Sequence, residues 1–531
     1  MAMRITNSMI TMHSKTNING TKNLTDKYNG QMTSQKKIDK PSDDPVVAIR
    51  SLRLRDSLHE VEQYTDKNIP DAESWLKVTE TSLNNMSNVF KDIYTLCVNG
   101  STGTLTTDDR NIILSNLSAY VDQIYAEGNT EYAGRTIFTG YKTNKTLTFQ
   151  ERTEDAYYRI NDRVSASSVE KKCFQKNILD VPNSAYAMVA NVPNTSDEIE
   201  NVYNYRMRLA YGDLEKVTDA GEELVPKLVV KYINPNTGEE EVLDNDNSGG
   251  LDSVQNGMPV MSYAEFLERG FKLSELAGYP RGVFLYDTGE IILDKDVVEL
   301  GLGNYEKRYG INNIVIEVEY YKKGFDKGEV RPEMYFDCKD LNTGIEFERE
   351  VQDINYTVAG NQELNVNTQA GQDGILSTAI GRDIKELMDA VTASQKANEK
   401  KTRIEAMIKD PMYAGDDYQK AFATWLEAVN KEVDYTTENL RSVFSKGITK
   451  FQDYKQATEL AKTDVGSRAS RLELTKTRVT AQKSSLQELI HSNEDRELSD
   501  ILIDYETANL AYESSLKAAS EINQMTLLTY L

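Results

Sequence analysis

Apolar positions along this chain follow two patterns, and the pattern changes twice. From Pro45 to Asn99 they recur every three or four residues, through Ile69, Ala72, Leu76, Thr79, Leu83, Met86, Phe90, Ile93 and Cys97. That period predicts a long helix packed lengthwise against others. Pro70 removes a donor inside it and is expected to start a new turn or kink the rod. Helical spacing returns after about Asp373, with Trp425, Leu426, Val429 and Val433 on one face and Val443, Phe444, Ile448 and Phe451 continuing it. Val465, Leu472, Val479 and Leu486 follow at sevenfold spacing; Leu498, Ile501, Tyr505, Ala508, Tyr512, Ala519 and Ile522 then share a stripe. Neither Gly nor Pro occurs from Ser467 to Leu531. One helix of about 65 residues, roughly 100 Å long, is predicted there.

From about residue 150 to 370 the alternation becomes strand-like. Lys227–Ile233, the turn Asn234-Pro-Asn-Thr-Gly238 and a polar strand predict a hairpin. Val283–Leu293 predicts another around Asp287-Thr-Gly289, and Ile314–Tyr321 and Met334–Cys338 continue the strand pattern. The acidic, Gly-rich stretch Asp244–Gly250 is expected to be a loop.

Start and stop signals sharpen the helices. Lys40-Pro-Ser-Asp-Asp-Pro45 places Asp44 as a cap and Pro45 at a first helical position. Thr106 or Thr107 is expected to cap a shorter helix with Ile113, Leu117, Tyr120 and Ile124 on its face, ending at Gly128-Asn129. Residues 1–40 carry the stripes Ile5, Met9, Met12 and Leu24, Tyr28, Met32, interrupted by Gly20 and Gly30. Each Gly costs a helix about 1 kcal/mol relative to Ala, so this arm is expected to order only against partners. The pattern predicts a mainly α chain, with a long antiparallel coiled-coil or helical-bundle rod built from both termini and a β-rich domain inserted between them. Such a chain suits a rod or tube subunit better than an enzyme.

Composition agrees. Hydrophobic residues make up 39% and charged residues 27% of 531, which fits elongated elements with much solvated surface. The net charge of −23 argues against nucleic acid as a partner, because phosphate binding needs clustered Lys and Arg. Residues 1–40 run the other way, with Arg4, Lys15, Lys22, Lys27, Lys36, Lys37 and Lys40 against Asp26 and Asp39. This basic arm is either simply solvated or meets acidic surfaces of neighbouring subunits. No run of 18 apolar residues exists, so no membrane insertion is expected. The first 20 residues lack the apolar core of a secretory signal, so export would take another route.

Candidate chemistry is sparse. Cys97, Cys173 and Cys338 lie far apart and are expected to be small buried hydrophobes. His59-Glu-Val-Glu-Gln63 misses the zinc pattern at its last residue, and no phosphate loop or nucleophile elbow occurs. Asp244-Asn-Asp-Asn-Ser-Gly249 is faintly like a calcium loop but lacks the bidentate Glu. No catalytic residue, metal ligand or cofactor is expected. The residues that matter are apolar: Ile5, Met9, Met12, Leu24 and Tyr28 for assembly at one end; Leu498, Ile501, Tyr505, Tyr512, Ile522, Leu527, Leu528 and Leu531 at the other; and Leu76, Leu83, Met86, Phe90 and Ile93 in the rod seam.

Several segments together resemble the flagellin superfamily. They are Met3-Arg-Ile-Thr-Asn-Ser-Met9, Lys40-Pro-Ser-Asp-Asp-Pro-Val46, Ser74-Trp-Leu76, Gly134-Arg-Thr-Ile-Phe-Thr-Gly140 and Val465-Gly-Ser-Arg-Ala-Ser-Arg-Leu-Glu473. The closing Leu527-Leu-Thr-Tyr-Leu531 is more similar to hook–filament junction members than to filament flagellin. The resemblance covers about residues 1–150 and 370–531. It implies a structural subunit of the bacterial flagellum, exported through the flagellar type III apparatus without a cleaved signal peptide. It would sit as a ring between hook-associated protein 1 and flagellin, beside copies of itself, after delivery by an export chaperone. It also implies an inner coiled-coil domain (1–40 with 490–531), a helical rod domain (41–150 with 371–489) and an outer β-rich domain (151–370). Filament flagellin is the alternative within the class. A flagellin-like protein whose insert is a surface adhesin is the alternative from another, because exposed Tyr and loops permit it.

Overall fold

The structure, a computed structural model, describes residues 7–38, 40–102, 106–176, 180–193, 200–217, 223–243, 254, 257–276, 278 and 280–528. The chain divides into two compact units, Met1–Ser74 with Asn355–Asn365 and Arg468–Leu531, and Trp75–Ile354 with Val366–Ser467.

The helices begin where the capping residues put them. α1 (Asn7–Ser34) is followed by α2 (Pro45–Gln63), where Asp44 Oδ1 accepts the N–H groups of Val46 at 3.0 Å and Val47 at 3.2 Å. A five-residue π turn, Tyr64–Asn68, leads into α3 (Ile69–Ser101), and Ile69 N–H donates to Tyr64 O. The wider turn sits just ahead of Pro70 and absorbs its missing donor, so the expected kink takes the form of a π turn. Thr106 and Asp109 form a reciprocal capping box at the start of α4 (Thr107–Gly128).

The second unit carries the inserted sheets. Six antiparallel strands lie in the order β13-β12-β3-β11-β6-β7: Glu346–Phe347, Asp337–Asp340, Thr153–Ser165, Ile314–Phe325, Lys227–Ile233 and Glu240–Val242. The central pair aligns Val315 with Ser165 and Lys323 with Tyr157, and Ile314, Ile316, Val318 and Tyr320 point into the core. A second sheet runs β4-β5-β10-β9-β8: Glu170–Lys176, Glu200–Arg208, Glu290–Leu293, Gly282–Leu285 and Val260–Met261. Its core holds Phe174, Phe266, Phe271, Val283, Leu285 and Ile292. β1 (Glu131–Tyr132) and β2 (Arg135–Thr136) form a small ribbon. Short helices α5 (Ala185–Ala190), α6 (Tyr263–Glu268), α7 (Gly303–Tyr309) and α8 (Pro332–Tyr335) punctuate the strands. Both predicted hairpins form, β6–β7 and β9–β10. Residues 244–250 lie outside the described residues.

Helix resumes with α9 (Ala379–Lys409), α10 (Asp416–Glu494) and α11 (Leu498–Leu528). Within the second unit, α3 and the part of α10 before Ser467 meet at two glycines. A Cβ on Gly447 would lie 2.9 Å from Cys97 Sγ, and one on Gly100 would strike the Phe444 ring.

Three elements depart from expectation. The single helix expected from Ser467 is broken at Asp495–Glu497, with no Gly or Pro to mark it. Lys37 N–H takes the Glu494 carbonyl at 2.6 Å, and Arg496 N–H goes to Gln35 O at 3.1 Å. Residues around Lys36 therefore replace the next helical turn. Met334 and Tyr335 lie in helical α8, opened by Pro332, and the strand begins only at Asp337. Finally, β14 (Asn355–Ala359) and β15 (Gln362–Asn365) form a hairpin belonging to the first unit. Tyr356 Oη donates to Asp71, and Gln362 Nε2 donates to Thr475 Oγ1 at 3.1 Å.

Candidate assembly surface

In the first unit, α1 and α11 lie against each other. Thr21 Oγ1 and Ser515 Oγ are 3.2 Å apart, and Arg496 Nη1 donates to Gln31 Oε1 at 3.1 Å. Residue 21 faces 515 and residue 31 faces 496, so the two helices run in opposite directions. The weakly helical arm thus finds its partner within its own chain. Two glycines and several Asn leave α1 too poor to hold alone, and α11 supplies the surface that orders it.

An electrostatic clamp closes the end of this pair. The Glu494 carboxylate accepts Arg55 Nε at 2.7 Å and Nη2 at 2.6 Å, accepts the Ser51 hydroxyl, and lies 3.5 Å from Lys36 Nζ. The Arg55 hydrogen bonds, then that of Ser51, hold its carboxyl at about 2. Lys36 pairs with Asp495, which also meets His491 Nδ1 at 2.5 Å. Arg496 pairs with Asp504 and stacks over Tyr28, 5.7 Å from the ring centre. Gln31 Nε2 donates to Lys37 O at 2.5 Å. Bidentate, charge-assisted bonds of this kind fix direction as well as energy, so the clamp sets where α10 ends and α11 begins.

The apolar residues of the pair divide. Ile501 and Ala508 are buried, and Tyr28, Tyr505 and Tyr512 are half-buried. Met9, Met12, Leu24 and Leu498 stay exposed, Met12 at 72%. Ile5 and Leu531 lie outside the described residues, as do the side chains of Ile522, Leu527 and Leu528. Leu76, Leu83, Met86, Phe90 and Ile93 are all buried, within the second unit. There Phe90 meets Tyr454 with ring centres 6.0 Å apart, and Ser87 donates to Glu459 at 3.2 Å.

Other exposed apolar side chains were not expected. Leu502, Ile503, Leu510 and Leu516 stand on the outside of α11, and Val46, Ile49 and Leu52 form a stripe on α2. Their signal was legible: α11 is apolar on more than one face, which a simple two-helix pair cannot cover. These side chains are the apolar surface that the helix pair leaves uncovered.

Residues 5–143 match the family described as the bacterial flagellin N-terminal helical region. This segment is flagellin-like. Over 126 residues the chain is 32% identical to flagellar hook-associated protein 3 of Escherichia coli (strain K12), covering 24% of this chain and 39% of that protein. Over 142 residues it is 29% identical to the protein of the same name from Salmonella typhimurium (strain LT2), covering 27% and 44%. The matches thus span less than half the length of either relative. Among solved structures, flagellar hook associated protein-3 from Legionella pneumophila aligns over 83% of this chain and 97% of its own, at 11% identity and a TM-score of 0.28. That score is too low to bear on the architecture described above. The flagellin-like segment contains α1, the Asp44 cap, the π turn before Pro70 and the seam of α3.

Proposed function

We propose that this chain is a structural subunit of the bacterial flagellum that joins hook to filament, assembling with copies of itself through its terminal helices. One observation carries the reading. The flagellin-like segment includes α1, and α1 paired with α11 still leaves Met9, Met12, Leu24, Leu502, Ile503 and Leu510 exposed. Packing of copies against it would take that surface out of water, which is favourable.

In this reading α1 and α11 extend as an antiparallel coiled coil, and residues 1–40 with 490–531 line the tube. Residues 41–150 with 371–489 form the rod, and 151–370 project outward. Hook-associated protein 1 and flagellin are the axial neighbours, and an export chaperone covers α11 before assembly. The protein leaves the cell through the flagellar export route without a cleaved signal peptide, and its role is structural rather than catalytic. A deletion strain is expected to release flagellin into the medium without building attached filaments; normal filaments in that strain would overturn the assignment. Labelling a tag in the insert is expected to give a single band at the hook end, whereas decoration of the whole filament would make the protein a filament flagellin.

A further inference from the structure

Two exposed stripes in the first unit match in extent and oppose each other in charge. One lies on α2. The inner face of that helix is used within the chain: Ala48, Ser51 and Val61 are buried, and Asn493 Nδ2 donates to Val47 O at 3.2 Å. The outer face carries Val46, Ile49 and Leu52, all exposed, Val46 at 76%. Arg50 and Arg53 follow Val46 and Ile49 by four residues and so share that face. Both are exposed, and neither has an ion pair among the described residues. From Pro45 to Arg55 the helix holds no carboxylate, and Asp56 ends the basic stretch.

The other stripe lies on α11, whose inner face is taken by the buried Ile501 and Ala508. Leu502, Ile503 and Leu510 stand on the outer face. Glu506 and Glu513 fall three or four residues from Ile503 and Leu510 and alternate with them. Both glutamates are exposed and without an ion pair among the described residues. Asp500 and Glu521 have the same sign, and Lys517 is the one basic residue of the helix.

At the rise of an α-helix, Val46 to Leu52 spans about 9 Å and Leu502 to Leu510 about 12 Å. Each stripe thus offers about two turns of apolar surface set among charges of one sign. The two do not meet within one chain, because both stay exposed. Two α2 stripes brought together would set arginine against arginine, and two α11 stripes glutamate against glutamate, which is costly. Only α2 against α11 covers the apolar residues and pairs the charges together. α1 is also basic, but its exposed Met12 and Leu24 are about three turns apart, with mostly polar residues between them.

We propose that α2 of one copy docks on the outer face of α11 of a second copy. Such a contact joins unlike surfaces. It therefore repeats head to tail, closing as a ring or running on as a helix, rather than stopping at a dimer. The inference rests on the assembly reading above and names the surfaces that mate in it.

Charge exchange tests it in a strain lacking the wild-type protein, with the full chain returned on a plasmid and its amount at the hook read by tag labelling. Arg50→Glu with Arg53→Glu makes both stripes acidic, and Glu506→Arg with Glu513→Arg makes both basic. All four side chains are exposed and unpaired among the described residues, so these variants keep the fold of the single chain. Each variant alone is expected to fall at least about tenfold in incorporation. Expressed together, they are expected to recover it by alternating, since each then meets a stripe of opposite charge. Wild-type incorporation of either variant alone, or no recovery in the mixture, would overturn the contact. Loss confined to the glutamate exchange would overturn it in favour of another basic surface, such as α1. Absence of the wild-type chain from the hook would overturn the flagellar reading, and this contact with it.

Discussion

Glu494 and Asp162 show how opposite environments give one functional group opposite roles. Glu494 is served by Arg55 and Ser51, and its carboxyl falls from 4.5 to about 2. A depressed carboxylate contributes stability that is present above its ordinary value and is lost as pH falls through the folded one. Glu494→Gln keeps the shape and removes the charge. It is expected to destabilise the first unit by about 1–2 kcal/mol at neutral pH, with the difference from wild type vanishing as pH approaches 2. A difference independent of pH would show that the clamp works by shape alone. Asp162 is fully buried in the second unit, and burial raises its carboxyl from 3.8 to about 6, against the opposing bonds of Ala210 and Tyr320. The sign reverses. The folded state holds this proton more tightly, so ionising Asp162 costs stability as pH rises from about 4 to about 7. Asp162→Asn removes that cost, and the variant is expected to gain on wild type across this interval in denaturant unfolding. Parallel pH profiles for the two proteins would refute it.

At the scale of elements, the sequence was most legible where a local cause acts. Asp44-Pro45, Thr106 with Asp109, and Gly128-Asn129 mark helix ends through hydrogen bonds made within a few residues, and those ends stand where expected. The hairpins at Asn234–Gly238 and Asp287–Gly289 follow from turn chemistry in the same way. The break at Asp495 was not legible. Its cause is Lys36 and Lys37, more than four hundred residues away in sequence, which take the last carbonyl and carboxylate of α10 and the Asp495 carboxylate just beyond it. The hairpin of β14 and β15 was hidden for the same reason, since Tyr356 and Gln362 find their partners at Asp71 and Thr475. Of the candidate surface, the apolar stripes were readable, but which members turn inward was not. Ile501 is fully buried while Leu498, one turn away, is exposed. Ile501→Asp puts a charge into that packing, which costs several kcal/mol unless the charge is paired, about 3 as an order of magnitude. Hydrogen exchange in residues 7–34 is expected to accelerate at least tenfold while the second unit keeps its protection. Unchanged exchange in α1 would mean that α11 is not what orders it.

For the whole molecule, the proposed assembly draws on apolar residues other than those that stabilise the fold, and this separation can be tested. Leu83 and Phe90 are buried within the second unit. Replacing Phe90 with Ala is expected to cost about 3–5 kcal/mol and to lower the melting temperature of the isolated chain. Met12 and Ile503 are exposed at 72% and 64%, so they contribute almost nothing to the stability of one chain; surface changes there stay within about 0.5 kcal/mol. Once copies pack together, the same side chains lose their water, each gaining about 1.5–3 kcal/mol when fully buried. In the proposed ring that gain would recur in every subunit. The chain also carries a net charge of −23, so mutual repulsion opposes association until such contacts form. The double substitution Met12→Ser with Ile503→Ser is therefore expected to leave the melting curve of the soluble chain unchanged while preventing incorporation at the hook in a strain lacking the wild-type protein. Incorporation at the normal level, with the same melting curve, would mean that these side chains face solvent in the assembled state and that another surface carries assembly. A lowered melting temperature would instead assign them to the fold of the single chain.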